Sequence, residues 1–186
     1  MPWAENFGFE YFIDAFSNPD FLDALRNTIL LNLLDLVIGF SIPIIFALIL
    51  NELVFKRFKR VVQTIAYMPH FLSWVIMYGI LLVLLAPGDG MVNDIVKFFG
   101  GEGIDFLTNT STFPAIVIIS DAWKEMGWAA IIFIAALMGI DPSLFEAAMV
   151  EGATAVQRVW YITVPSIKPV IVTVVLLKLG TILDAG

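Results

Sequence analysis

The sequence predicts an all-α membrane protein, and three observations support that class. Of its 186 residues, 60% are hydrophobic and 15% are charged, whereas a soluble domain is about half apolar and about a quarter charged. The mean hydropathy is +0.92. Apolar stretches long enough to cross a bilayer recur along the chain. The absence of cysteine excludes disulfides and thiolate metal sites, and the net charge of −7 argues against nucleic acid as a partner.

Residues 1–26 are aromatic and acidic, and we predict an external or interfacial segment there. Within it, "SNPDFLDALRN" has the pattern of a helix start, with Asn18 or Ser17 as the cap and Pro19 in the first turn. We expect a short interfacial helix that leads into the membrane. A basic start followed by an apolar run, typical of a signal peptide, is not present. An external N-terminus therefore suggests that a further span precedes this chain.

Four membrane spans follow from the apolar stretches. Their approximate bounds are residues 27–50, 61–86, 114–140 and 166–186. The first span contains Asp35 and Pro43. The second has no Asp, Glu, Lys or Arg and carries Pro69 and His70, the only histidine. We interpret His70 as a packing residue beside a bend at Pro69, with a proton carrier or ligand as the alternative.

The distribution of charge sets the orientation of these spans. Four of the ten basic residues lie within five positions, in the "KRFKR" of residues 56–60. By the positive-inside rule, residues 51–60 are a cytoplasmic loop. The acidic, glycine-rich residues 87–113, with a short amphipathic piece "MVNDIVKFFG", are then external. Residues 141–165 return to the cytoplasm.

The third span contains three charged residues, Asp121, Lys124 and Glu125. A helix places Asp121 and Lys124 on one face, three positions apart. Two interpretations remain open. Paired charges in a span commonly face the bundle interior or a water-filled cavity. Alternatively, these charges form an interfacial cluster, with Trp123 and Trp128 as members of an aromatic belt.

The stretch "EAAMVEGATAVQRVWYITVP", residues 146–165, is the most polar long segment of the second half. A helix can begin before it, capped by Asp141 or by Ser143 with Glu146. Gly152 can end that helix in a left-handed conformation. "TAVQRVWYI" then predicts a second short helix, and Pro165 marks the start of the fourth span. The result is a helix–turn–helix at the membrane surface, whose small residues permit close approach of a docking partner.

This stretch resembles the EAA motif of ABC-importer permeases. The motif reads Glu-Ala-Ala, three residues, Gly, nine residues, Ile, one residue, Leu, Pro. The six matching residues are Glu146, Ala147, Ala148, Gly152, Ile162 and Pro165. Val164 replaces the Leu, and Glu151 stands where the family often has Asp. Four further stretches are similar to the sugar and polysaccharide branch: "ALRNTILLN", "FALILNELVFKRFKRVVQTIAYMPHFLSWVI", "GDGMVNDIVKFFG" and "AWKEMGWAAIIFIAALMGIDPSLFEAAMVEGA".

The resemblance implies a type I ABC-importer permease with a MetI-like helical bundle. Residues 1–186 would form one permease domain, the central part of a longer subunit. It implies a transporter subunit rather than an enzyme, in the bacterial plasma membrane, that binds no cofactor. The implied partners are a second permease, a dimer of cytoplasmic ATPases that use ATP, an external solute-binding protein and membrane lipid. No phosphate-binding G-x-x-x-x-G-K-[ST] loop occurs in this sequence.

The resemblance also implies roles for particular residues. The segment that couples to the ATPase would include Glu146, Ala147, Ala148, Glu151, Gly152, Ile162 and Pro165. For a carbohydrate substrate, aromatic faces and polar groups are expected along the path. The candidates are Tyr67, Ser73, Trp74, Tyr78 and Trp123.

Three alternative functions remain open at this stage. The same class of importer carries other solutes, such as polyamines, amino acids or phosphate. An ion-coupled secondary transporter would use Asp35, His70, Asp121 and Lys124 as an ion path, but that leaves the EAA spacing unexplained. The third alternative is an inactive fragment of a permease.

Overall fold

A computed structural model describes residues 9–180 of the chain. Within that range all regular elements are helical. The α-helices are α1 (Phe9–Ser17), α2 (Pro19–Glu52), α3 (Lys56–Tyr67), α4 (Trp74–Leu85), α5 (Met91–Phe98), α6 (Phe113–Met138), α7 (Pro142–Val150), α8 (Ala155–Arg158) and α9 (Val164–Gly180). A 3₁₀ turn, Met68–Phe71, follows α3, and a π turn, Val159–Thr163, joins α8 to α9.

The first span is a single helix, α2, which begins where the sequence predicted a helix start. The Asn18 side chain caps it by accepting a hydrogen bond from the Asp20 N–H at 2.9 Å, and Pro19 occupies the first position. The helix that begins at Pro19 is not a short separate one, because residues 19–26 are the first turns of this 34-residue helix. The separate short helix of the segment is α1, which precedes it. Helix α2 accommodates Pro43 in its interior. Residues 1–8, the first part of the predicted external or interfacial segment, lie outside the described residues.

The second span is broken rather than continuous. The sequence predicted a bend at Pro69 within one helix over residues 61–86. The structure instead has α3, the 3₁₀ turn and α4, with a bend of 105° between the two arms. Pro69 lacks an N–H and its ring obstructs the preceding helical turn. Ser73 then begins a new helix by accepting a hydrogen bond from the Ile76 N–H at 3.3 Å.

The third and fourth predicted spans correspond to α6 and to the helical stretch Ala155–Gly180. The second short helix predicted around "TAVQRVWYI" is present as α8 and the π turn, and it continues without a break into α9, of which Pro165 is the second residue. The π turn explains why this is possible. Its Val164 N–H bonds to the Val159 carbonyl, which shifts the hydrogen-bond register just before the proline. Residues 181–186 lie outside the described residues.

Helix α6 is the centre of the bundle, because α2, α3 and α9 all contact it. The core between α2, α6 and α9 consists of Ala47, Ala130, Phe133, Leu137 and Ile167. Phe133 packs edge-on against the Phe40 ring at a centroid distance of 5.9 Å. Where α6 crosses α3, a Cβ added to Gly127 would lie 2.0 Å from the Ala66 carbonyl oxygen. Small residues therefore allow the close helix contacts typical of membrane bundles.

Length and hydropathy agree with a multispan membrane protein. Among the described residues, Pro19–Glu52 and Ala155–Gly180 are each long and apolar enough to cross a membrane. Two bent helix pairs raise the number of candidate spans to as many as four. These pairs are α3 with α4, and α6 with α7, the latter bent by 69°. The predicted short amphipathic helix after the second span is present as α5.

Candidate coupling hairpin and membrane cavities

Residues 141–165 form a hairpin of two helical arms, as the sequence predicted. Of the two caps that the sequence offered, the structure uses Asp141, whose carboxylate accepts a hydrogen bond from the Ser143 N–H at 2.9 Å. Pro142 is the first residue of α7. The hydrogen bonds from Ser143 hold the pKa of the exposed Asp141 carboxyl below its ordinary value. The charged form of Asp141 therefore stabilises the start of α7.

Gly152 makes the turn of the hairpin in the left-handed conformation that the sequence predicted. Its φ is +81°, and a Cβ placed there would meet no atom within 4 Å. The Gly152 N–H donates to the Met149 carbonyl at 3.1 Å, and the Ala153 N–H donates to the Ala148 carbonyl at 2.9 Å. The glycine is needed here for its backbone conformation and not for space.

A capping box begins the second arm. The Thr154 hydroxyl accepts from the Gln157 N–H at 3.3 Å, and the Gln157 side chain accepts from the Thr154 N–H at 2.8 Å. Arg158 reaches back to donate to the Ala153 carbonyl at 3.0 Å. The sequence analysis missed this box, although the Thr-x-x-Gln spacing of residues 154–157 is a known signal for one.

A groove of about 460 Å³ lies between the two arms. Its lining consists of Leu144, Ala147, Ala148, Glu151, Gly152, Ala153, Gln157, Arg158, Tyr161 and Ile162. Five of the seven predicted coupling residues are therefore brought together in one concave surface. The other two, Glu146 and Pro165, are exposed outside it. No residue of α7 is buried, and Val150 and Tyr161 are 90% and 79% exposed.

Two cavities lie among the membrane helices and share one aromatic residue. The first, of about 450 Å³, is lined by Thr28, Leu31, Asn32, Asp35, Trp74, Val117, Ile118 and Asp121. The second, of about 510 Å³, is lined by Trp74, Tyr78, Leu81, Leu107, Thr108, Phe113, Ile116, Val117 and Ser120. Trp74 of α4 and Val117 of α6 line both cavities.

The predicted substrate-path residues are therefore only partly brought together. Trp74 and Tyr78 line these cavities. Ser73 is occupied as the cap of α4. Tyr67 and Trp123 line neither cavity; Tyr67 is the last residue of α3, and Trp123 is 43% exposed on α6.

An ion pair joins the first and last described spans. The Lys178 Nζ lies 2.7 Å from Asp35 Oδ2, and Asp121 lies beside Asp35 in the wall of the first cavity. Asp35 thus contributes a polar contact between two helices. The Asn32 amide instead donates to the Thr28 carbonyl of its own helix at 2.9 Å.

A second charged cluster lies where the bend of the second span meets α6. Lys124 Nζ is 2.7 Å from Glu125 Oε1 and 3.2 Å from the His70 carbonyl oxygen. His70 Nδ1 is 2.8 Å from Glu125 Oε2, and its ring stacks on Trp128 at 4.5 Å. Lys124 therefore pairs with Glu125, and not with Asp121 as one of the two interpretations of the sequence had it. Lys124 is only 7% exposed, so its charge faces the bundle interior.

Comparison with known proteins identifies the family. The profile of the family described as "binding-protein-dependent transport system inner membrane component" matches residues 39–185. This chain belongs to that family of ABC-importer permeases. The prediction made from the EAA motif and the flanking stretches is thereby confirmed. The all-helical MetI-like fold class is confirmed with it.

Relatives of this permease are named as permeases of carbohydrate transport systems. It is 45% identical over 96% of its length to the polygalacturonan/rhamnogalacturonan transport system permease protein YteP of Bacillus subtilis. It is 33% identical over 84% of its length to the arabinooligosaccharides transport system permease protein AraP of Halalkalibacterium halodurans. The chain covers 56% and 50% of these relatives, and so spans about half of their length.

A solved structure has the same fold as this permease. It is a bacterial ABC transporter involved in the import of the acidic polysaccharide alginate. The match has a TM-score of 0.94 at 41% identity and covers 100% of this chain and 64% of that chain. A second structure of a bacterial alginate ABC transporter, in complex with an alginate pentasaccharide-bound periplasmic protein, matches with a TM-score of 0.93.

Proposed function

We propose that this permease forms part of the translocation path of an ATP-driven importer for oligosaccharides. We also propose that it couples to a cytoplasmic ATPase through the hairpin of residues 141–165. The relatives named above support the carbohydrate class, because three of them carry polysaccharide or oligosaccharide substrates in their descriptions. The family supports the importer class. The permease is a transporter subunit and not the enzyme; ATP is bound and hydrolysed by the partner, and this chain holds no cofactor.

The observation that carries the coupling role is the preformed, exposed hairpin. Local caps and the Gly152 turn fix its shape, while α7 has no buried residue. Its groove presents the small side chains of Ala147 and Ala148 to an incoming surface. Glu146 is exposed beside the groove and is available for a charge-assisted hydrogen bond to the ATPase. A partner can therefore bind without paying to order the hairpin.

The hairpin is mechanically connected to the membrane helices at both ends. Its first arm follows α6 after a 69° bend, and its second arm runs without interruption into α9. Helices α6 and α9 share the core around Phe133 and Ile167. A displacement of the hairpin by the ATPase would thus move α6 and α9 together. ATP binding would shift the equilibrium between inward-open and outward-open states by its differential affinity for them.

The remaining partners and the topology follow from the same proposal. A second permease subunit completes the path, two ATPase subunits bind beneath, and an external solute-binding protein delivers the sugar. The permease lies in the bacterial plasma membrane with residues 51–60 and 141–165 in the cytoplasm. Trp74 and Tyr78 supply stacking faces in the path, while Tyr67, Ser73 and Trp123 are weaker candidates because they line neither cavity.

Co-purification tests the coupling part of this proposal. The full subunit is co-expressed with its candidate second permease and ATPase and purified through a tag on the permease. We expect the ATPase to remain bound to the wild type and to be lost from Ala147→Trp, which fills the groove. Thr110→Trp, a substitution at an exposed position of the predicted external loop, is the matched control and should retain it. Equal retention by all three would overturn the coupling role of the hairpin.

Stimulation of ATP hydrolysis tests the substrate class. The purified complex in proteoliposomes is mixed with its binding protein and either oligogalacturonides, arabino-oligosaccharides or alginate oligosaccharides. We expect at least one of these sugars to raise the ATPase rate severalfold. Spermidine, amino acids and phosphate serve as the contrasting solutes. Stimulation by one of these, and by no sugar, would assign the permease to another solute of the same importer class.

A further inference from the structure

Trp74 is the aromatic residue that lines both membrane cavities, and Val117 of α6 is the other residue that they share. Trp74 is also the first residue of α4, directly after the 105° break of the second span. Its side chain is 50% exposed. Burial alone therefore does not fix the direction of this indole.

A buried cation lies against this indole. The Lys124 Nζ is 5.5 Å from the centroid of the Trp74 ring, within the range of a cation–π contact. Lys124 comes from the middle of α6 and is only 7% exposed. The ammonium thus lies against the ring of a residue that also lines both cavities.

Lys124 is itself held in place by two groups from the break and from α6. It bonds to Glu125 Oε1 at 2.7 Å and donates to the His70 carbonyl oxygen, in the 3₁₀ turn, at 3.2 Å. His70 closes the arrangement by its contact with Glu125 Oε2 at 2.8 Å and its stacking on Trp128. A buried ammonium is costly unless it is paired. This one is paired with Glu125 of α6 and bonded to a carbonyl oxygen of the break, so it joins the break to α6.

We propose that Lys124 is a positioning residue for sugar recognition. It orients Trp74 as the platform on which a sugar ring stacks, and Glu125 and His70 hold Lys124 in place. The polar groups of the first cavity, among them Asn32 and Thr28, then face the hydroxyls of that ring. Cavities of this kind combine an aromatic wall with a few placed polar groups. The inference rests on the proposed function, since it assigns the ligand of Trp74 to the carbohydrate class.

Equilibrium binding of an oligosaccharide to the purified complex tests the inference, with the binding protein omitted. The probe is the oligogalacturonide, arabino-oligosaccharide or alginate oligosaccharide that most stimulates the wild-type ATPase. We expect Lys124→Met and Trp74→Leu each to raise the Kd about tenfold. The double variant should have the same Kd as either single variant, because Lys124 acts through Trp74. Lys124→Arg, which keeps the cation, should stay within about threefold of the wild type. Lys56→Met, at an exposed position on α3, is the matched control.

The basal ATPase rate and the melting temperature separate positioning from a merely structural role. We expect both to stay close to wild type in the Lys56→Met control, and the melting temperature to stay close to wild type in Trp74→Leu, whose sugar binding is weakened. If Lys124→Met and Lys124→Arg lower the basal rate and the melting temperature but leave the Kd unchanged, Lys124 only supports the fold and the inference is wrong. Additive effects of Lys124→Met and Trp74→Leu would also overturn it. If no sugar stimulates the wild-type ATPase, the proposed function fails instead.

Discussion

In the helical bundle, Gly127 lies on α6 where it crosses α3, whereas in the hairpin Gly152 makes the turn between α7 and α8. Gly127 has no room for a side chain, because an added Cβ would lie 2.0 Å from the Ala66 carbonyl oxygen. Gly152 has open space around it and a φ of +81°. The bundle is thus specified by packing between helices. The hairpin is specified by backbone conformation and caps, which leave its outer surface available to a partner.

Gly127→Ala should have the largest effect, because the clash is with backbone atoms that cannot move without separating α3 from α6. We expect a destabilisation of about 3 kcal/mol, seen as a lower melting temperature and a smaller yield of monodisperse protein in detergent. Gly79→Ala is the matched control, since a Cβ at Gly79 meets nothing within 4 Å. If Gly127→Ala melts like Gly79→Ala, the close approach of α3 and α6 is not a determinant of the fold.

Gly152→Ala should act on the hairpin and spare the bundle. An L-residue in the left-handed conformation costs about 1–2 kcal/mol, which corresponds to a loss of ATPase affinity of about 5- to 30-fold. Asparagine tolerates this conformation better, so Gly152→Asn should bind the ATPase more tightly than Gly152→Ala. The measurement is ATPase affinity for the purified permease, with melting temperature as the check on the bundle. Equal affinity of the two variants would contradict the conformational role of Gly152.

Thr154→Ala should loosen the second arm of the hairpin by removing the hydroxyl of the capping box. The expected cost is about 1 kcal/mol, measured as faster amide hydrogen exchange in residues 154–158. Thr154→Ser keeps the hydroxyl and should exchange as slowly as the wild type. Fast exchange in both variants would mean that the threonine methyl, and not the cap, stabilises this arm.

Acid should weaken the first arm through Asp141, and this is the smallest effect. The hydrogen bonds from Ser143 lower the pKa of Asp141 in the folded hairpin below its unfolded value of about 4. The carboxylate therefore stabilises α7 fully above about pH 4, and that contribution is lost as the pH falls through the lowered pKa. Asp141→Asn keeps a good cap without the titration.

The measurement for Asp141 is the ratio of amide exchange rates in α7 between the wild type and Asp141→Asn. Taking the ratio at each pH cancels the intrinsic dependence of exchange on pH. The wild-type rate divided by the Asp141→Asn rate should be constant above about pH 5 and should rise below about pH 4. A ratio that does not change with pH would show that the charge of Asp141 does not contribute.

Local signals in the sequence predicted the hairpin well. The Asp141 cap, the left-handed Gly152 and the grouping of motif residues follow from short-range chemistry and from a motif with fixed spacing. The start of α2 at Asn18 was predictable for the same reason. Such features depend on a few neighbouring residues, so a single sequence contains most of the information that they require.

Long-range features were less predictable. The pairing of Lys124 with Glu125 and the His70 carbonyl depends on how the broken second span meets α6. The contact of Lys178 with Asp35 joins residues 143 positions apart. The two prolines also differ in their effect. Pro69 lies at the break of its span, whereas Pro165 follows a π turn within a continuous helical stretch. Which outcome occurs is decided by packing around each proline, and the sequence pattern does not contain that.

Cysteine cross-linking tests the central claim, that the hairpin is the cytoplasmic docking site of the ATPase, most directly. The chain has no native cysteine, so Ala147→Cys in the groove and Phe99→Cys, at a position 81% exposed in the predicted external loop, give single reactive thiols. We predict that Ala147→Cys forms a disulfide with a cysteine introduced on the surface of the ATPase. We also predict that an impermeant thiol reagent added outside intact cells labels Phe99→Cys, and that Phe99→Cys does not cross-link to the ATPase. Labelling of Ala147→Cys from outside, or cross-linking of the ATPase to Phe99→Cys instead, would contradict the account.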